Sequence, residues 1–140
     1  MRSTWFFLLV ATLLPGFQST QAAAPFLTQQ VLFKKGDHGY HTFRIPALVA
    51  TPQGSVLAFC EARKNNRHDD GDIDLVLRRS EDGGQTWGPM QIIDDQGDRT
   101  VGNPCPVIDQ RTGTIFLPYS IDNQRVHIKQ SHDDGRSWSD

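Results

Sequence analysis

The chain has 140 residues, with 14 Lys and Arg against 16 Asp and Glu and a formal net charge of −2. A mildly acidic chain with no long basic run lacks the electrostatic footprint of a phosphate-backbone binder, so nucleic acid is excluded as a partner. Two cysteines, Cys60 and Cys105, are too few for a disulfide framework. Each lies in an apolar stretch and reads as a small buried hydrophobe, although an oxidising compartment would permit a bridge between them.

The chain opens with one Arg, then the uncharged run Trp5 to Leu14, then small residues from Thr20 to Ala24. This is the layout of a secretory signal peptide, with cleavage expected after Ala22, so residues 1–22 form a leader and 23–140 the mature chain. The apolar run is shorter than the ~20 residues a membrane span needs, and no stable membrane span is expected. Without the leader's single Arg the net charge is −3. The mature protein is expected to be exported, either secreted or periplasmic.

Residues 43–51 and 55–60 are β-rich runs joined by Pro52-Gln53-Gly54, which is hairpin chemistry. Residues 73–79 form a third strand, with Ile73, Leu75 and Leu77 alternating onto one face, and Met90 to Ile93 a fourth. The order then repeats: residues 106–108, a turn at 109–113, then strands over 114–119 and 126–129. No segment shows a helical period.

The repeat is explicit in the turns. Ser80-Glu81-Asp82-Gly83-Gly84-Gln85-Thr86-Trp87 and Ser131-His132-Asp133-Asp134-Gly135-Arg136-Ser137-Trp138 both read S-x-D-x-G-x-[ST]-W, 51 residues apart. Self-similarity at that period indicates a propeller or solenoid, in which each small sheet buries its faces against neighbours. The predicted fold is all-β, a β-propeller of which this chain covers about two blades, since closed propellers have roughly four to eight. The boxes read as structural: Asp82 and Asp133 accept backbone N–H groups in a tight turn, Gly84 and Gly135 supply positive φ, and Trp87 and Trp138 pack the turn down.

Aligning Gly54 with Gly113 gives an offset of 59 and aligning Ser80 with Ser131 gives 51, so the first unit carries eight extra residues within Glu61 to Asp72. An insertion in one repeat, loaded with ionisable groups, is where function is expected. Asp70-x-Asp72-x-Asp74 with Glu81 resembles a calcium loop in spacing, but the place requiring Gly is Leu75. Arg44, in Phe43-Arg44-Ile45-Pro46, is a lone cation in an apolar strand, and it reads either as the partner of a structural salt bridge to Glu61 or as a fork for a substrate carboxylate. Glu61 and Arg63 are two apart and share a face beside it. Asp69 and Asp70 on the inserted loop are both candidate proton donors, which composition alone does not separate.

Taken together, the Phe43-to-Pro46 segment, Phe59-Cys60-Glu61-Ala62-Arg63, the run Gly71 to Ser80, two Asp boxes and Asn103-Pro104-Cys105-Pro106 resemble the N-terminal third of an exo-α-sialidase, of the bacterial branch similar to animal lysosomal and cytosolic sialidases. The resemblance covers residues 31–140. It implies a six-bladed propeller, hydrolysis of terminal α-linked sialic acid from glycoproteins, glycolipids or oligosaccharides, and no cofactor or metal. It further implies Arg44 as one of three arginines clamping the substrate carboxylate and Asp69 as general acid and base. Glu61, Arg63 and Asn103 are implied as pocket residues. The family's tyrosine nucleophile, its glutamate and the other two arginines match no residue here, Tyr40 and Tyr119 included, so the chain alone is expected to be inactive. The competing expectation is a non-catalytic propeller that binds glycans or partners.

Overall fold

The computed structural model describes residues 27–140, so the leader call lies outside the described residues. Eight strands follow a short 3-10 turn at Asp37–Gly39: β1 (Thr42–Ala50), β2 (Val56–Arg63), β3 (Ile73–Ser80), β4 (Gln91–Asp94), β5 (Val101–Gly102), β6 (Val107–Ile108), β7 (Ile115–Ile121) and β8 (Arg125–Ser131). They form two antiparallel sheets. The first is a meander in the order β1-β2-β3-β4; in the second, β5 and β6 both pair with one edge of β7, and β8 takes the other.

Strand β5 was not expected, and with β6 it makes one interrupted first strand for the second blade. The interruption has a counterpart in β1. Arg44 pairs with Glu61 and Gly102 with Ser120, and the 59-residue offset carries Glu61 onto Ser120. The next residue in each blade, Ile45 and Asn103, has φ of 56°, and each is followed by a proline. A positive φ is tolerated by Asn but is an outlier for β-branched Ile, with strain on the order of 1–3 kcal/mol. In β1 the result is a bulge between Arg44 and Ala47, which bends the strand beside the inserted loop.

The core lies between the sheets. Leu57, Phe59, Leu75 and Leu77 from the first meet Val101, Ile115, Leu117, Tyr119 and Ile121 from the second. Each fully buried aliphatic side chain contributes about 1.5–3 kcal/mol. The alternation read in β3 gives only half of its burial, because Val76 on the other face packs with Cys60, Ala62 and Tyr40, covered by Phe33, Phe43 and Met90. Cys60 is buried as expected, but Cys105 is exposed, since it sits in the irregular break between β5 and β6; both are free thiols.

The two repeated turns have matching bonds. Ser80 Oγ donates to Asp82 Oδ1 (2.7 Å) and accepts from Gly84 N–H (2.8 Å), as Ser131 does with Asp133 (2.8 Å) and Gly135 (2.9 Å). Asp82 and Asp133 each take a hydroxyl, from Thr86 (2.6 Å) and Ser137 (2.5 Å). Trp87 Nε1 donates to Gly84 O (3.1 Å), and Trp138 packs edge-on against Phe59 with ring centroids 5.7 Å apart. The second turn also locks the sheets together. Its buried Asp134 accepts from Arg79 Nη2 (2.5 Å) and Ser55 Oγ (2.5 Å), while Arg79 Nε donates to the Asp134 carbonyl (2.7 Å).

Candidate functional site

The site grows from the open ends of β1 and β2 and the inserted loop, residues 64–72, that links β2 to β3. Strand β2 extends to Arg63, which puts Glu61 and Arg63 on one face at its tip, as their spacing on a strand end predicts. Arg63 is the hub. Its side chain is only 2% exposed, and Nε and Nη2 donate to Glu61 Oε2 (3.1 and 2.5 Å). Nη1 reaches into the loop, donating to the carbonyls of Arg67 (2.6 Å) and His68 (2.5 Å). Burial works against this charge, but the hydrogen bonds that Arg63 donates to Glu61 and Asp69 outweigh it and Arg63 stays cationic.

Asp69 projects from the loop with its side chain 74% exposed, and its Oδ1 lies 2.8 Å from Arg44 Nη1 and 2.8 Å from Arg63 Nη2. The hydrogen bond from Arg63, then the charges of Arg44 and Arg63, hold its carboxyl below the usual aspartate range. Of the two candidate proton donors it is Asp69 and not Asp70 that reaches the arginines. Arg44 therefore does not pair with Glu61, its register neighbour. Nor is it a buried cation: β1 is an edge strand, the Arg44 side chain is 44% exposed, and its partner comes from the insertion. Only Nη1 of Arg44 is engaged among the described residues, with Asp69 and with the Arg67 carbonyl at 3.2 Å. The Nε–Nη2 edge is left as a fork of the geometry that takes a carboxylate. Arg44, Arg67, His68 and Asp69 line an open cavity of about 540 Å³.

Asn103 joins this group from the second sheet. Its N–H donates to Glu61 Oε1 (3.0 Å), completing the satisfaction of a buried carboxylate, and its Nδ2 donates to Ser120 Oγ and Asn123 Oδ1 (both 2.9 Å). Asn123, which sequence reasoning missed, closes the circuit by donating Nδ2 to the Asp69 carbonyl (2.9 Å). Its only sequence signal was local: Asp122-Asn123, both with φ of 53°, is a tight-turn dipeptide between β7 and β8. Nothing in that signal points 54 residues back to the loop.

Two carboxylates of the calcium-like spacing are engaged otherwise. Asp72 pairs with Lys64 at 3.0 Å, and buried Asp74 accepts from Tyr40 Oη at 2.5 Å and pairs with Lys64 at 3.4 Å. Among the described residues no cluster of His, Cys, Asp and Glu has metal-binding geometry, and no helix is long and apolar enough to cross a membrane.

Residues 54–140 match the BNR repeat-like domain family. The chain is 42% identical over 132 residues to an exo-alpha-sialidase of Arthroderma benhamiae, covering 72% of this chain and 32% of that protein. It is 30% identical over 161 residues to an exo-alpha-sialidase of Aspergillus fumigatus, with 85% and 40% covered. To Sialidase-3 of Homo sapiens it is 38% identical over 112 residues, with 76% and 26% covered. Among solved structures, the Hadza microbial sialidase Hz136 superposes with a TM-score of 0.69 at 32% identity, over 76% of this chain and 27% of that one. The chain thus spans less than half the length of these relatives.

Proposed function

Because the chain belongs to the BNR repeat-like domain family and is sialidase-like in sequence and backbone, we propose that the full-length protein is an exo-α-sialidase acting on sialylated glycoproteins, glycolipids or oligosaccharides. One observation carries the reading above all: a single exposed carboxylate, Asp69, is held 2.8 Å from each of two arginines at the mouth of a cavity. In this proposal the free edge of Arg44 takes the substrate carboxylate. Asp69 protonates the leaving oxygen and later deprotonates the attacking water, while Glu61, Arg63 and Asn103 form the wall that frames them.

The electrostatics support that division of labour. In the free protein the two arginines keep Asp69 ionised, which is the wrong state for an acid. A substrate carboxylate placed on Arg44 offsets that cation, weakens its hold on Asp69 and raises the Asp69 pKa toward the protonated form the first step requires. The acid is thereby armed by the anionic substrate it is to cleave.

The rest of the machinery is assigned to the remainder of a six-bladed propeller. Tyr40 and Tyr119 are not nucleophile candidates, because both are buried and their hydroxyls are bound to Asp74 (2.5 Å) and Asp94 (2.6 Å). A tyrosine from a later blade would attack the anomeric carbon, giving overall retention by two displacements, and residues 23–140 alone would not turn over. Export through the leader, to the periplasm or beyond the cell, belongs to the same proposal.

The test is Asp69→Asn in the full-length protein. The variant keeps the loop's shape but removes the titratable group, and hydrolysis of a sialoside with a sugar leaving group is expected to fall by about 10²–10⁴-fold. Normal turnover in Asp69→Asn would remove the acid assignment, and a wild type that binds sialosides without cleaving them would favour a glycan-binding propeller instead.

A further inference from the structure

The loop that carries Asp69 is exposed from Asn65 to Gly71, so its shape depends on a few bonds to its backbone carbonyls. From the first sheet, Arg63 holds the Arg67 and His68 carbonyls, and Arg44 shares that of Arg67. Two more come from later in the chain: Thr100 Oγ1, just before β5, donates to the Gly71 carbonyl (3.0 Å), and Asn123 Nδ2, in the β7–β8 turn of the second sheet, donates to the carbonyl of Asp69 itself (2.9 Å). Among the described residues Asn123 is the one side chain bonded to the Asp69 backbone.

The orientation of the Asn123 amide is set by its other end. Oδ1 accepts from Asn103 Nδ2 (2.9 Å), and the same Asn103 nitrogen donates to Ser120 Oγ (2.9 Å), so Asn123 must present its NH₂ to the loop. Asn103 is itself pinned through its N–H to Glu61 Oε1 (3.0 Å), and Glu61 to Arg63. A ring of bonds thus runs from Glu61 through Asn103 and Asn123 to Asp69 and back through Arg63. Asn123 also sits at φ 53°, a conformation open to Asn, Asp and Gly at little strain and to few other residues.

We propose that Asn123 is the positioning residue for Asp69: reaching across from the second sheet, it fixes the Asp69 carbonyl and with it the placement of the carboxyl over the Arg44–Arg63 pair. The inference rests on the reading of Asp69 as the acid. A glycosidic oxygen accepts a proton only from a donor within hydrogen-bond reach, so small displacements of the carrying backbone act on the protonation step more than on binding.

Two variants of the full-length protein separate this role from a structural one. Asn123→Gly keeps the left-handed backbone and deletes the side chain; Asn123→Asp keeps the shape and the acceptor toward Asn103 and deletes the donor toward Asp69. Each is assayed on a sialoside with a sugar aglycone, whose departure needs a proton, and on one with an acidic phenol aglycone, whose departure does not. The expected result is a loss of about 10–100-fold in kcat/KM on the first substrate, with kcat/KM on the second, which reports only the steps through aglycone departure and not the later attack of water, changed by less than about threefold. Amide hydrogen exchange at His68, whose N–H donates to Asn66 Oδ1 (2.7 Å) inside the loop, is expected to rise about tenfold while β2 and β3 stay protected. Equal losses of kcat/KM on both substrates, or unchanged exchange at His68, would overturn the proposal. A wild type that cleaves neither substrate overturns the glycosidase reading, and the exchange measurement then still decides whether Asn123 holds the loop.

Discussion

Gly102→Ala is the substitution that most sharply probes how the second sheet supports the site. A Cβ built on Gly102 would lie 2.8 Å from Glu61 Cδ and 3.1 Å from Cγ, and closer still to Oε1. Glu61 has little freedom to yield: its side chain is 4% exposed, and its carboxylate accepts from Asn103 N–H, Arg63 Nε and Arg63 Nη2. Forcing a methyl into a packed interior costs about 1–3 kcal/mol. Surrender of one charge-assisted bond by a buried carboxylate adds about 1.5–3 kcal/mol. The expected loss is therefore about 2.5–6 kcal/mol. Urea denaturation of the full-length protein measures it, with Gly113→Ala as control, because a Cβ there meets nothing within 4 Å and only its φ of 75° is strained. A Gly102→Ala protein within about 0.5 kcal/mol of wild type, a shift typical of inert surface positions, would show that Glu61 is not held as described.

Three further outcomes follow from the same geometry. Asp134→Asn leaves buried Arg79 with only the exposed Glu81 as a countercharge and weakens its charge-assisted bond between the sheets, and is expected to destabilise by about 1.5–3 kcal/mol in urea denaturation; a neutral result would mean that the lock is not holding the sheets. Burial, then the Glu61 charge, pushes the Cys60 thiol up to about 12, whereas Cys105 is exposed. Brief alkylation of the native protein near neutral pH should thus modify Cys105 and spare Cys60 by peptide mass, and equal labelling would contradict the packing. Asp82 is held down to about 2, first by Thr86 and then Ser80, and Asp133 lower still by Ser137 and Ser131. Carboxyls depressed by folding stabilise fully above their unfolded value of about 3.9 and lose that contribution as pH falls through the folded one. Stability should drop from about pH 4 toward 2, and Asp82→Asn with Asp133→Asn should flatten that slope; an unchanged slope would remove the turns as its cause.

What the sequence reveals and conceals has physical causes. The first four strands and the repeated turns were legible because short apolar, β-rich runs bounded by turn residues and the Ser-Asp-Gly-Trp spacing are local signals. The insertion was legible because a repeat exposes whatever breaks it. Strand β5 was not, since two residues carry no period and the following Asn103-Pro104-Cys105-Pro106 reads as loop. The positive φ of Ile45 runs against the propensity of a β-branched residue, so no local rule announces the bulge that turns β1 beside the site. Arg44's true partner and the reach of Asn123 depend on where an eight-residue insertion folds back. That placement is set by carbonyl contacts with Arg63 and Thr100, which leave no mark in a pattern of apolar and polar residues.

The central claim is tested most directly by incubating the full-length protein with an α-linked sialoside and following the released sugar by proton NMR. The account predicts free sialic acid appearing first as the α anomer, before mutarotation, as two displacements at the anomeric carbon require. First appearance of the β anomer would contradict the retaining mechanism, and the absence of any released sialic acid would contradict the enzyme assignment itself.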